Sequence, residues 1–276
     1  MSTARIRFIG GGNMATSLIA GLIADGYAPP DIQVSDPSPE RRQALQASLG
    51  VRALASNAEA LAEAQTLVLC VKPQLAASVC AELAPWLVDQ RPLVISVMAG
   101  VPEQTIQRWL GAPLPIVRAM PNTPAMVQTG AIGLYASPEV DAEGRNRAET
   151  ILRAVGLVRW VDEEAHIDAV TAISGSGPAY FFLFMEALEQ AAIELGLDAE
   201  TARLLTIQTA LGAAKMAMES DAPPSRLREQ VTSPGGTTER ALAVFDEADL
   251  RALVARAARA ARDRAVELSK TLSEAP

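Results

Sequence analysis

Arg5-Ile6-Arg7-Phe8-Ile9-Gly10-Gly11-Gly12-Asn13-Met14-Ala15 is the stretch on which the fold turns. A short apolar run, Arg5–Ile9, reads as a strand. It gives way to a G-x-G-x-x-A pattern and then to Asn13–Asp25, where Met14, Leu18 and Leu22 recur at helical spacing. In such a strand-turn-helix unit the first glycine permits a tight turn and the second lets the backbone approach a pyrophosphate. A small third residue lets helix and strand pack closely. Gly10, Gly12 and Ala15 take those places. The N–H groups that open a helix lack partners within it and suit phosphate oxygens, so Asn13 and Met14 join Gly10 and Gly12 as expected dinucleotide ligands.

Outward from that unit, apolar runs at Ile32–Ser35, Leu67–Val71, Leu93–Val97 and Ile116–Ala119 read as further strands, with a helix at Pro39–Leu49. Ala131–Tyr135 and Leu157–Val161 read as late strands of the same layer. This alternation predicts an α/β Rossmann domain, a mostly parallel, doubly wound sheet, over residues 1–162. From 163 to 276 the pattern is helical throughout. Pro178 suits a first turn and Gly196 a left-handed helix stop. Ala179–Met185 is apolar nearly all round, so its helix is expected to be buried on several sides. Asp198 is expected to cap an alanine-rich helix that reaches about Ser220, Pro223 and Pro224 break the chain, and helices follow at Thr238–Glu247 and Leu250–Lys270. An all-α domain this short and alanine-rich struggles to cover its own apolar helix, which points to homodimerisation through the C-terminal helices.

The 276 residues suffice for two modest domains with real cores. A formal net charge of −8 argues against a nucleic-acid or anionic-membrane binder and leaves any anionic cofactor to local donors. Arg251, Arg256, Arg259, Arg262 and Arg264 stand among Asp263 and Glu267, the pattern of a solvated or subunit-contacting face. Two cysteines, Cys70 and Cys80, are too few for a disulfide framework, and with a single histidine they make no metal set. No run is long and apolar enough for a signal peptide or membrane span, so a cytoplasmic setting is expected. His166 reads as a surface or domain-junction residue, and Lys215 as a reserve candidate for substrate or subunit contact.

The second strand ends in Val34-Ser35-Asp36-Pro37-Ser38-Pro39-Glu40-Arg41-Arg42, where the adenosine ribose is expected. Asp36 suits two free ribose hydroxyls, hence NADH. Ser35, Ser38 and the two arginines suit a 2′-phosphate, hence NADPH, the reading adopted with NADH as the alternative. Near the C-terminus, Ser233-Pro234-Gly235-Gly236-Thr237-Thr238 breaks the chain ahead of a helix and offers backbone N–H groups beside hydroxyls. That composition suits a carboxylate receptor without a charged residue; a plain turn with a threonine cap is the alternative.

Seven stretches in order carry a resemblance over essentially the whole chain: FIGGGNMATSLIAGL, CVKPQ, SVMAGV, RAMPNTPAMVQTG, SGSGPAYFF, LGAAKM and VTSPGGTTERAL. Together they resemble the pyrroline-5-carboxylate reductase family. The resemblance implies a Rossmann domain followed by a helical dimerisation domain, sometimes assembled into larger rings, with active sites where one subunit's cofactor domain meets its partner's helices. It implies reduction of 1-pyrroline-5-carboxylate to L-proline, the last step of proline biosynthesis. By motif match, Asn57, Val71, Lys72 and Pro73 flank the adenosine end, and Ala99, Gly100 and Asn122 line the nicotinamide end. Ser233, Gly235, Gly236 and Thr237 hold the substrate, and Thr238 faces the imine nitrogen as the catalytic residue. Thr237 stands where a small apolar residue is common, which leaves open which hydroxyl is used. Two other readings share the fold. A β-hydroxyacid dehydrogenase is disfavoured because Gly175-Ser176-Gly177 is followed by Pro178-Ala179-Tyr180-Phe181-Phe182-Leu183, without the lysine or asparagine that chemistry uses. A non-catalytic cofactor-binding regulator is disfavoured by the intact Ser233–Thr238 and Asn122.

Overall fold

The computed structural model describes residues 5–87 and 90–274. Eight strands form one sheet: β1 (Ile6–Ile9), β2 (Ile32–Ser35), β3 (Arg52–Leu54), β4 (Thr66–Leu69), β5 (Leu93–Ser96), β6 (Ile116–Met120), β7 (Gly130–Ala136) and β8 (Gly156–Trp160). Their spatial order is β3-β2-β1-β4-β5-β6-β7-β8. The first six run parallel; β7 pairs antiparallel with β6, and β8 parallel with β7. The helices are α1 (Asn13–Ala24), α2 (Pro39–Leu49), α3 (Asn57–Ala60), α4 (Ala76–Leu87), α5 (Glu103–Leu110), α6 (Ala142–Arg153) and α7 (His166–Val170). They continue with α8 (Gly177–Glu194), α9 (Ala199–Glu219), α10 (Pro224–Gln230), α11 (Thr237–Glu247) and α12 (Leu250–Ser273).

Strand periodicity fills two cores. Ile6, Phe8, Val68, Ile95 and Val117 pack with Leu18 and Leu22 of α1 and Ile151 of α6. Residues of opposite parity, Ile9, Leu67, Leu69, Val94 and Ile116, pack with Leu83 of α4 and Ile106 of α5. Every side chain of β1 is buried, as a strand covered on both faces requires. Where elements must approach closely, glycine stands: a Cβ on Gly133 of β7 would meet the methyls of Val170 in α7 at 2.6 Å.

The chain divides into two compact units: the described residues up to Ser176 together with those from Ala261 onward, and Gly177–Ala260. Sequence patterning divides the chain at 162. In the structure α7 packs on the sheet, and the end of α12 packs on α5, where Thr105 donates to Ser273 Oγ (3.1 Å) and Arg108 to the Ser273 carbonyl (2.6 Å). In the second unit, Asp198 caps α9 by accepting from the Thr201 N–H at 3.0 Å, and Gly196 ends the preceding helix with φ +98°. Phe184 of α8 meets Phe245 of α11 with ring centroids 6.2 Å apart. The burial expected of Ala179–Met185 is not met within one chain: Phe181, Phe182 and Leu183 are 68%, 63% and 66% exposed. The unit is too thin to surround this helix. Among the described residues no helix is long and apolar enough to cross a membrane.

Candidate active site

The parallel strands β1–β6 all point their C-terminal ends one way, and the expected cofactor residues follow those ends. Gly10, at the end of β1, has φ +94°, and a Cβ there would stand 2.7 Å from the Cys70 carbonyl oxygen. The chain itself therefore demands glycine at this turn. Gly12 differs. Its φ of −67° suits any residue, and a Cβ on it would meet nothing within 4 Å. It heads α1, whose first turn no side chain caps. An open space at an uncapped helix start, with Asn13 and Met14 as the first helical residues, fits a pyrophosphate group.

Ser35, the last residue of β2, is buried; its hydroxyl donates to Asn57 Oδ1 at 2.6 Å, and Asn57 Nδ2 donates to Glu82 Oε2 at 3.1 Å. These bonds fix which way the Asn57 amide faces. Asp36 is engaged by backbone donors, accepting from the Gly11 N–H at 2.8 Å and the Ser38 N–H at 2.9 Å. Arg42 donates to the carbonyls of Asp36 and Pro37. Arg41 is exposed, with one long contact to Asn13 Oδ1 at 3.4 Å. Neither the Asp36 bond to Gly11 nor the Asn57 bond to Glu82 has a local sequence signal, because each joins chain segments far apart.

After β4 come Val71, which packs on the second core, then exposed Lys72, then Pro73 opening a 3₁₀ turn to Leu75. Ala99 and Gly100 form the turn after β5; Gly100 has φ +72°, and Leu272 and Leu268 of α12 lie beside it. Asn122, after β6, is 8% exposed. It donates from Nδ2 to the Ser174 carbonyl and accepts at Oδ1 from the Ala131 N–H, both at 2.9 Å. Burial pushes the Cys80 thiol up to about 12 and raises that of Cys70, so neither thiol is a ready nucleophile.

In the second unit, Ser233–Gly236 leads into α11. Gly235, at φ +71°, donates its N–H to Glu239 Oε2 (2.7 Å), and Gly236 donates to the Ser233 carbonyl (3.0 Å). Both glycine N–H groups are thus engaged, one by the first turn of α11 and one within the loop, which differs from the sequence expectation that they stand open. Gly236 heads α11 without any side-chain cap, so the first-turn N–H groups of Thr237 and Thr238 lack such a partner, with both hydroxyls on the same turn.

Comparison with known proteins bears on the whole chain. A family model described as pyrroline-5-carboxylate reductase dimerisation matches residues 164–268, and one described as NADP oxidoreductase, coenzyme F420-dependent, matches residues 5–100. A curated pyrroline-5-carboxylate reductase of Pseudomonas aeruginosa is 51% identical over 99% of this chain and 100% of its own length. The solved structure of a pyrroline-5-carboxylate reductase from Coxiella burnetii superposes with a TM-score of 0.94 at 50% identity, covering 97% of this chain and 99% of that one. The Plasmodium falciparum pyrroline carboxylate reductase with NADP bound gives a TM-score of 0.86 at 28% identity, covering 98% and 99%. The chain belongs to the pyrroline-5-carboxylate reductase family.

Proposed function

We propose that this protein reduces 1-pyrroline-5-carboxylate to L-proline with NADPH, as a homodimer joined through its C-terminal helices. The observation that carries the cofactor half is Gly12, a glycine that neither backbone angle nor internal packing requires, at an uncapped helix start. Gly10, Asn13 and Met14 complete that cradle, and Val71, Lys72 and Pro73 follow the adjacent strand end. Asn57, held by Ser35 and Glu82, faces the adenosine side; Ala99, Gly100 and Asn122 border the nicotinamide side. NADPH is favoured over NADH because backbone donors engage both Asp36 oxygens, while Arg41 is exposed and suits a 2′-phosphate.

The bound reduced nicotinamide supplies a hydride to the imine carbon. The chain's own residues bind and orient. Thr237 and Thr238 N–H groups with the Ser233 and Thr237 hydroxyls receive the substrate carboxylate, Gly235 and Gly236 shape that turn, and the Thr238 hydroxyl hydrogen-bonds the ring nitrogen. A protonated imine is already electron-poor at carbon, so positioning takes the place of a strong protein acid. The test is NADPH consumption on adding 1-pyrroline-5-carboxylate, with NADH in parallel. Thr238→Ala is expected to lower kcat roughly tenfold or more while the NADPH dissociation constant stays within about twofold. Unchanged turnover in that variant removes Thr238 from the mechanism.

A further inference from the structure

The segment Ser174-Gly175-Ser176-Gly177-Pro178 has no part in the mechanism so far, yet its backbone is unusual. Thr171–Gly175 forms a π-helical turn between α7 and α8, closed by a bond from the Ser176 N–H to the Thr171 carbonyl at 2.8 Å. In a continuing α-helix the Ser174 carbonyl would accept from residue 178. That residue is proline, which has no N–H. The carbonyl so orphaned is taken by Asn122 Nδ2 at 2.9 Å, and the other end of the same amide accepts from the Ala131 N–H at the start of β7. The approach is close: a Cβ on Gly175 would lie 2.6 Å from the terminal methyl of Met120, the last residue of β6.

We infer that Asn122 is a positioning residue, a pin that fixes the loop leaving β6 to the π-turn and to β7, and that Pro178 creates its acceptor. This rests on the reading that the C-terminal end of β6 borders the nicotinamide. The amide is nearly buried and bonded at both ends, so Asn122 acts through the loop it holds and not by gripping the cofactor. Single π-turns within helices recur at functional sites, and here the turn stands directly before the proline that leaves the Ser174 carbonyl free.

The pin has two separable consequences, a satisfied carbonyl and a fixed loop, and Pro178→Ala separates them by returning an N–H to the helix. Asn122→Ala is expected to lower the melting temperature and to cut kcat roughly ten- to hundredfold, the cost of a misplaced reacting geometry. Its NADPH dissociation constant, measured by titration, stays within about twofold. In Asn122→Ala/Pro178→Ala the Ser174 carbonyl regains a donor, so the melting temperature recovers while kcat stays low. Recovery of kcat along with stability would reduce Asn122 to a merely structural role. A cofactor affinity that falls as far as kcat would make it a direct ligand, and an undiminished kcat in Asn122→Ala would dismiss the pin. Should Asn122→Ala precipitate, Asn122→Asp carries the same test, since it keeps the acceptor for Ala131 and loses the donor to Ser174. Wild-type protein that fails to consume NADPH with 1-pyrroline-5-carboxylate overturns the function itself, an outcome distinct from active wild type with a silent Asn122→Ala.

Discussion

Gly10 and Gly12 sit two residues apart and are glycine for different reasons. Gly10 answers to its own chain, through a left-handed φ and the Cys70 carbonyl against which a Cβ would press. Gly12 has an ordinary φ and empty space around it, so the fold does not forbid a side chain there, whereas the proposed pyrophosphate would. Gly12→Val is therefore expected to fold with an unchanged melting temperature and to lose NADPH binding about a hundredfold or more, measured by titration. Gly10→Ala is expected to be destabilised whether or not NADPH is present, because an L-residue is strained at that φ. A Gly12→Val protein that titrates normally sinks the cradle. At this scale the sequence is informative where one residue's chemistry decides matters locally, as with Gly10, the Asp198 cap and the left-handed Gly196. It is silent where a side chain's partner is remote. Nothing in the pattern around Asp36 announces a clasp on Gly11, which lies on another strand's turn.

Between elements, β6, α5 and α7 share a cluster of charges that local patterning does not reveal. Arg118 of β6 is buried and pairs with Glu164 just before α7 (2.7 Å), while Glu164 also accepts the backbone N–H of Glu103 at the start of α5 (2.6 Å). Glu103 is buried, with Gln107 donating to it. Desolvation first, and then the neighbouring Glu164, hold its carboxyl above the ordinary 4.5. A carboxyl raised in the folded state contributes stability that is fully present below its unfolded pKa and is lost as pH rises through the folded one. Glu103→Gln removes that loss and keeps the backbone bond to Glu164. The variant is expected to match wild type near pH 4 and to melt a few degrees higher near pH 8. A wild type that gains on the variant as pH rises would contradict the sign. Other elements show what patterning can deliver. The extents of β2 and α2 match their sequence reading end for end, because Ser38 caps α2, Pro39 opens it and Gly50 stops it at φ +68°. The three-residue β3 and the π-turn of Thr171–Gly175 escape it, one too short to show a period and the other defined by tertiary bonds.

For the molecule as a whole, the question is what covers α8 and α9. Phe181, Phe182 and Leu183 of α8 and Leu204, Leu205 and Leu211 of α9 are exposed in the single chain, and the dimerisation model matches this region. Burying a large apolar side chain contributes roughly 1.5–3 kcal/mol, so a handful of these supplies a stable association once a second copy covers them. A carboxylate within such a surface must be desolvated without a partner, which costs more than the lost contact. Phe182→Glu combined with Leu204→Glu is accordingly expected to lower the mass measured by light scattering from at least twice the 29.1 kDa of one chain to that of one chain. The residues proposed to hold the cofactor, Gly10 to Asn122, all lie in the sheet-bearing unit, which keeps its own two cores when the helices part. NADPH binding by the separated chains is thus expected to persist. An unchanged mass would place the subunit contact on another surface, and loss of NADPH binding together with association would show that the sheet-bearing unit depends on its partner for the cradle.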